Sequence, residues 1–271
     1  MRVAITSGDP AGVGPEIIAK LLPRIADLGG QCTVLGAATW LQTLPLTAGV
    51  HPLAVGPAEF RAVPGTPTDA GARVALAAME AAAAGCRENR FDAVVTGPIS
   101  KSALQKIGYP FPGQSEFFAD RWGGAPTMAF TGGKLRVLLT TWHIPLRDVP
   151  AQLTRTALER TIRHAAWLAE LRSEFPGLSA CLPGDTVFSR MLRGEFDAIV
   201  AQYHDQGLAP LKAVDFDASV NVTLGMPHIR TSPDHGTAFA IAGQGIADVS
   251  SFANAVRVAV RLARFRKEHP F

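Results

Sequence analysis

The stretch FDAVVTGPISK, residues 91–101, decides the fold class. Residues 91–96 are mostly apolar and rich in valine, which suits a strand buried on both faces. The run stops at Gly97-Pro98, a pair that ends regular structure, and Ser100 and Lys101 open a new helical segment. Strand, turn and helix start in that order form the unit from which α/β folds are built, and such folds place ligands at the carboxyl ends of their strands. Lys101, taken alone, reads as an ordinary solvated surface lysine.

Toward the N-terminus, an Ala-rich helix spans residues 69–88 with Thr68 as its N-cap, after the connection VPGTPTDAG. Residues 50–55 and 32–36 read as strands with a short helix between them. Residues 2–6 are a further strand, which breaks at SGDPAGVGPE, residues 7–16; apolar residues at helical spacing follow over 17–28. Pro15 suits a first helical turn, where a missing N–H costs nothing. The amides of such a turn can hold an anion at the positive end of the helix dipole, or Gly12 and Gly14 serve only a tight turn. Neither a P-loop lysine nor a complete GxGxxG is present to decide between these.

Toward the C-terminus, PFPGQSE (110–116) is a turn-rich loop, and residues 135–141 are a strand running into WHIPLRDVP, with His143 directly at its end. A lone histidine is more often structural than a ligand. Residues 153–175 are helical, with Leu158, Ile162, Ala165, Leu168 and Leu171 at a 3-4 spacing and His164 on the helix surface. CLPGDTVF (181–188) is a turn carrying Asp185, and residues 196–202 are the strand that delivers His204. Over residues 203–238, His204-Asp205, Lys212, Asn221, Arg230 and Asp234-His235 sit among glycines and prolines. There regular elements end and backbone approaches a ligand closely, and the mixture of donors is the composition of a site. Residues 250–267 form an amphipathic helix whose late arginines complement its dipole.

Alternating strands and helices, without a repeat or a long linker, give α/β architecture with a mostly parallel sheet. We read it as two interleaved lobes, with no boundary visible in the sequence. The 271 residues are 47% hydrophobic and 18% charged, enough to bury a sizeable core. A net charge of +3 with scattered Lys and Arg does not suggest nucleic acid and is compatible with a small anionic substrate. The three cysteines, Cys32, Cys86 and Cys181, lie far apart and read as buried thiols. No window is apolar enough for a bilayer and no signal-peptide pattern precedes the first strand, so a cytoplasmic protein is expected.

SGDPAGVGPE, VVTGPISK, GQSEFFA, WHIPLRDVP, PGDTVF, YHDQG, VNVTLGMPHIRTSPDHGTA and AGQGIADVSSF occur in one order along the chain. In these motifs it resembles the PdxA family over most of its length. The resemblance implies a two-lobed α/β/α fold similar to isocitrate and isopropylmalate dehydrogenases, and a homodimer with a shared active site. It implies an NAD-dependent (or NADP-dependent) oxidation of 4-phosphooxy-L-threonine, assisted by a divalent metal (Zn, Mg, Co or Mn) and followed by loss of carbon dioxide, a step of pyridoxal phosphate synthesis. By the same resemblance His143 and His204 are metal ligands. Gln114, Ser115, Lys212, Asn221 and Arg230 bind substrate, Lys212 and Asp185 serve catalysis, and Asp234, His235 and Gly236 belong to the cofactor region. Imidazole-bound metal that polarises a hydroxyl, and cations that hold phosphate or carboxylate, account for these residue types.

The chain departs from the family pattern in three places. An NPHAGE-type segment that supplies a third metal histidine is missing between Arg163 and Cys181, where His164-Ala165-Ala166 is only a faint echo. Gln114-Ser115 stands where the family has a His-Thr pair, and residues 34–63 are shortened. The alternatives to the family reaction are a PdxA-like protein acting on a different hydroxy acid and a non-catalytic small-molecule-binding relative.

Overall fold

The computed structural model describes residues 1–168 and 178–269. The chain divides into two compact units. One comprises Met1–Gly124 and Met226–Phe271; the other, Ala125–Gly225, is a single inserted segment.

The first unit begins with β1 (Arg2–Thr6), α1 (Gly14–Leu21), β2 (Gln31–Gly36), α2 (Ala38–Leu41), β3 (Val50–Ala54), α3 (Asp69–Arg87), β4 (Ala93–Thr96), α4 (Lys101–Lys106) and α5 (Gln114–Trp122). The second contains β5 (Thr127–Thr131), β6 (Val137–Leu139), α6 (Val149–Gln152), α7 (Arg155–Leu168), α8 (Val187–Leu192), β7 (Ile199–Ala201), α9 (His204–Asp215) and β8 (Val220–Leu224). The chain then returns to the first unit with β9 (Ile229–Pro233) and α10 (Ser250–Glu268).

The strands of the first unit run in the order β3-β2-β1-β4-β9, all parallel, with Val3 beside both Cys32 and Ala93, and Ala93 beside Ile229. Pro52 is tolerated because β3 is an edge strand. The Ala-rich face of α3 (Ala72, Ala75, Ala78, Ala82, Ala83) is fully buried, small side chains letting the helix lie close to β1, β2 and β4. Thr68 caps it as expected, its Oγ1 accepting from Gly71 N at 3.1 Å. In the second unit β5 is antiparallel to both β8 and β6, while β6 and β7 are parallel. Its core gathers Met128, Phe130, Val137, Leu139, Phe188, Met191, Leu208 and Leu211.

Several expectations need correction. The loop expected over 110–116 ends at Gly113, and α5 starts at Gln114; its N-cap is an extended glycine without a capping side chain, so no Ser, Thr or Asp announces it. The site-like run after Tyr203 is largely helix α9, disguised by Gly207 and Pro210. Gly207 is there for packing: a methyl on it would fall 2.6 Å from Leu139 Cδ2 and 3.1 Å from Ala201 Cβ, which is how α9 lies against β6 and β7. Strand β9, IRTSP, carries Arg, Thr, Ser and Pro, yet all its residues are buried. The helix expected over 153–175 begins at Arg155, and its end past 168 lies outside the described residues. Cys32 and Cys86 are buried, their thiols pushed up to about 12 by burial, but Cys181 is exposed. Among the described residues no helix is long and apolar enough to cross a membrane.

Candidate active site

In the second unit the parallel neighbours β6 and β7 both end at histidines. The ladder continues past the strands: Thr140 N donates to Ala201 O (2.8 Å), and Thr141 N and Oγ1 donate to Gln202 O (3.1 and 2.7 Å). The two loops are thereby locked side by side. His143 has φ 55, in the left-handed region, which costs a non-glycine residue about 1–3 kcal/mol and is tolerated where the surroundings enforce it, often at functional sites. Its ring centroid lies 5.7 Å from that of His204. Two imidazoles binding one ion tetrahedrally at about 2.1 Å put their centroids about 5 to 6 Å apart, so the pair fits a shared divalent ion. His204 Nδ1 is 2.7 Å from Asp205 Oδ1, so the carboxylate fixes the ring through Nδ1 rather than Nε2. Two nitrogen ligands are what the described residues supply; among them no three His, Cys, Asp or Glu side chains stand together to hold an ion.

The other expected residues of this unit are more dispersed. Asp185 is exposed, in the turn before α8; that turn lies by the start of α9, since a methyl on Gly184 would be 3.4 Å from Gln206 Nε2. Lys212 sits eight residues past His204 on α9, about 12 Å along the axis, its ammonium 5.8 Å from the Phe216 ring centroid. Asn221, opposite Phe130 in the β5–β8 ladder, has a buried Oδ1 without a hydrogen-bond partner. Thr140 Oγ1, just before His143, is another such atom.

His164 is half-buried rather than on the helix surface. Its Nδ1 is 2.8 Å from Thr127 Oγ1, and a methyl on Gly225 (φ 78) would fall 2.4 Å from its Cε1. Burial, then Arg160, lowers its pKa; burial, then Arg266 and Arg87, does the same for His228 in the first unit. Both folded values lie below the ordinary value of about 6.5, so the unfolded chain takes up protons first and these groups cost no stability above that pH. We therefore expect the urea midpoint to fall between pH 7 and pH 5, with a shallower slope in His164→Asn.

In the first unit two of the expected substrate residues, Arg230 and Ser115, meet. Arg230, on β9, is 4% exposed. Its Nε and Nη2 donate to Thr96 Oγ1 (3.2 and 2.8 Å) and its Nη1 to Ser115 Oγ (3.3 Å). Burial lowers its pKa to about 10, with Glu116 and Tyr109 opposing, so it is cationic at neutral pH. Gln114 Nε2 donates to Gly97 O at 3.2 Å, while its Oε1 is buried without a partner. A buried acceptor left this way costs about 1–3 kcal/mol.

Asp234, His235 and Gly236 follow the carboxyl end of β9. His235 Nδ1 is 3.0 Å from Gly236 O; a carbonyl only accepts, so Nδ1 carries the proton, and Nε2 is a buried acceptor without a partner. The N-terminal turn serves as a turn: Asp9 N donates to Pro98 O, Gly12 N to Asp9 O, Ala11 N to Asp9 Oδ1 and Val13 N to Thr237 O. Its amides are spent internally beside a buried carboxyl whose pKa burial raises, which leaves little for an anion. The sequence reading missed Thr96, whose only signal was its place at a strand end before Gly97, and gave no role to Asp205, whose signal was the His-Asp dipeptide.

Comparison with known proteins completes the picture. The model of the family described as pyridoxal phosphate biosynthetic protein PdxA matches residues 41–173 and 165–259. The chain belongs to the PdxA family. The two matched pieces overlap at 165–173. A 4-hydroxythreonine-4-phosphate dehydrogenase from Thioalkalivibrio sulfidiphilus is 36% identical over 323 aligned residues, covering 97% of each chain. That span exceeds the 271 residues present here, so the PdxA relative carries residues this chain lacks. The crystal structure of the enzyme of that name from Klebsiella pneumoniae is similar with a TM-score of 0.81 at 29% identity, over 97% of this chain and 99% of that one. A terephthalate 1,2-cis-dihydrodiol dehydrogenase from Burkholderia xenovorans matches with a TM-score of 0.67 at 27% identity, over 96% and 98%. An isocitrate dehydrogenase from Methylococcus capsulatus, at 17% identity and a TM-score of 0.50 over 97% and 87%, shares the fold alone. The PdxA chain is thus an oxidoreductase-family enzyme with the expected α/β fold.

Proposed function

We propose that the protein is a PdxA-type dehydrogenase that oxidises 4-phosphooxy-L-threonine, or a related hydroxy acid, with NAD and a divalent ion, and that the oxidised product loses carbon dioxide. The observation that carries this reading is the His143–His204 pair, 5.7 Å apart, with His143 on a strained backbone, in a chain that matches named dehydrogenases over nearly its full length. His143 and His204 would hold the ion, with the Asp185 turn nearby as a source of a carboxylate. When bound, the ion supplies Lewis acidity toward the substrate hydroxyl, and NAD accepts the hydride.

The chain's own groups bind and orient. Arg230, already fixed by Thr96, presents a buried cation to a phosphate or carboxylate, and Ser115 adds a hydroxyl beside it. Lys212 brings a second cation and Asn221 a buried amide oxygen, while Lys212 and Asp185 are the groups we assign to proton movement. Asp234, His235 and Gly236 are assigned to NAD, or to NADP in its place. We also propose a homodimer with a shared site, in which a second copy supplies further groups.

The test is NADH formation from 4-phosphooxy-L-threonine and NAD, with Zn, Mg, Co or Mn added back to metal-stripped protein. Turnover with at least one ion and none without supports the proposal; none with any ion, on this substrate or on a panel of related hydroxy acids, overturns it. The Gln114-Ser115 pair and the likeness to a dehydrogenase named for a non-phosphorylated diol favour a second reading, the same chemistry on a different hydroxy acid.

A further inference from the structure

Two charged groups on α1 direct their bonds at one loop. Glu16 Oε2 accepts from Gly243 N (3.0 Å) and its Oε1 from Ala247 N (3.1 Å). Lys20, one turn further on, donates from Nζ to Gly245 O (2.7 Å) and Ala247 O (3.0 Å), and its Nζ lies 3.1 Å from Glu16 Oε1. Burial pushes the Glu16 carboxyl up, but the Ala247 amide and Lys20 outweigh it and hold the group below the ordinary carboxylate value, so it is ionised at neutral pH. Gly243 and Gly245 have φ of 77 and 73, the left-handed turns that let amides and carbonyls of one short stretch converge on the pair. An i,i+4 ion pair by itself adds little to stability. What this one does is fix the shape of residues 243–247.

The loop runs from the carboxyl end of β9 to the start of α10, and it is fastened elsewhere too. Asp234 N donates to Ser251 Oγ (3.3 Å), and Val13 N, in the turn before α1, donates to Thr237 O (2.9 Å). Between Thr237 and the Glu16–Lys20 pair, Ala238 is held at φ 44, a left-handed conformation that persists in a non-glycine residue only where the surroundings impose it. Near the start of the loop His235 Nε2 is a buried acceptor without a partner, which suits a donor on a ligand. A loop held in a strained shape beyond the end of a parallel strand, with such an acceptor, is preorganised for binding.

We infer that Glu16 and Lys20 are positioning residues for the nucleotide cofactor: they hold the loop of residues 234–249 in its binding shape before the cofactor arrives, and so set its affinity rather than the rate of chemistry. This rests on the proposed assignment of Asp234, His235 and Gly236 to NAD or NADP. Without the pair, the loop must be ordered at the moment of binding, and that cost is subtracted from the affinity.

NAD and NADP are titrated by calorimetry into metal-stripped protein without substrate, so that the readout is independent of turnover and of the identity of the hydroxy acid. We expect Glu16→Gln and Lys20→Met each to bind the preferred cofactor about tenfold more weakly than the parent protein. Where turnover is measured, KM for NAD should rise by the same factor, with kcat at saturating NAD and KM for the hydroxy acid changed by less than about twofold. Lys20→Arg should restore the affinity, since a guanidinium can also donate to two carbonyls. Amide exchange, read by mass spectrometry on peptides covering residues 237–249, should quicken in the two weakened variants and not in Lys20→Arg. Should Glu16→Gln not fold, Lys20→Met carries the comparison, its side chain being 36% exposed. A purely structural pair would lower the urea midpoint and leave cofactor affinity unchanged, which overturns the inference while the cofactor assignment stands. A parent protein that binds neither NAD nor NADP overturns the assignment and the inference together.

Discussion

Replacing His204 by Ala abolishes retention of a divalent ion and lowers turnover by at least about a thousandfold, with no change in far-ultraviolet circular dichroism. The reasoning is local. The side chain of His204 is 37% exposed in the first turn of α9, so its removal opens no buried cavity, and Ala is a strong helix former. What is lost is one of the two imidazoles whose separation suits a shared ion, and with it the polarisation of the substrate hydroxyl. Metal content after gel filtration, together with kcat on the same preparation, decides the matter. A structural histidine would leave both in place. Asp205→Asn should be milder, weakening ion affinity about 10- to 100-fold, since it removes only the partner that orients the ring.

Replacing Arg230 by Met gives the second large effect, with opposite signs in stability and binding. The guanidinium is buried, and burial of its charge opposes folding, as the lowering of its pKa to about 10 records. A methionine of similar length removes that cost and leaves Thr96 Oγ1 and Ser115 Oγ to find other partners, so we expect a urea midpoint no lower than that of the parent protein. Affinity for the phosphorylated substrate should fall about a hundredfold, because a charge-assisted contact of about 1.5–3 kcal/mol is lost in a water-poor setting. Arg230→Lys should not restore it, since a single ammonium cannot meet Thr96, Ser115 and a ligand in the same plane. A variant that binds normally would show that Arg230 is a purely structural residue.

What could be read from the sequence follows the physics of each element. Strands such as residues 2–6 and 91–96 are apolar because they are buried on both faces, and the Ala-rich helix announces its close packing directly. β9 was hidden because its Arg, Thr and Ser are buried through hydrogen bonds to other elements, among them Thr231 Oγ1 to Ala255 O, and those partners are far away in sequence. α9 was hidden because Gly207 and Pro210 look like loop residues until the sheet they pack on is known. The same holds for the site. His143 and His204 are 61 residues apart, and only the parallel pairing of β6 with β7 brings their rings together. Each histidine alone is unremarkable, and it was the ordered set of motifs, rather than spacing, that singled them out. The burial of Arg230 was equally illegible, since arginine is ordinarily a surface residue. His164 went the other way: read as surface, it is packed over Gly225 and bonded to Thr127.

The central claim is tested most directly by counting products. With 4-phosphooxy-L-threonine, NAD and the ion that supports turnover, NADH and carbon dioxide are measured on one sample, beside a metal-stripped sample. The account requires the two products in equal amounts, both absent from the stripped sample. NADH formed at the same rate without the ion, or carbon dioxide released without NADH, would contradict it.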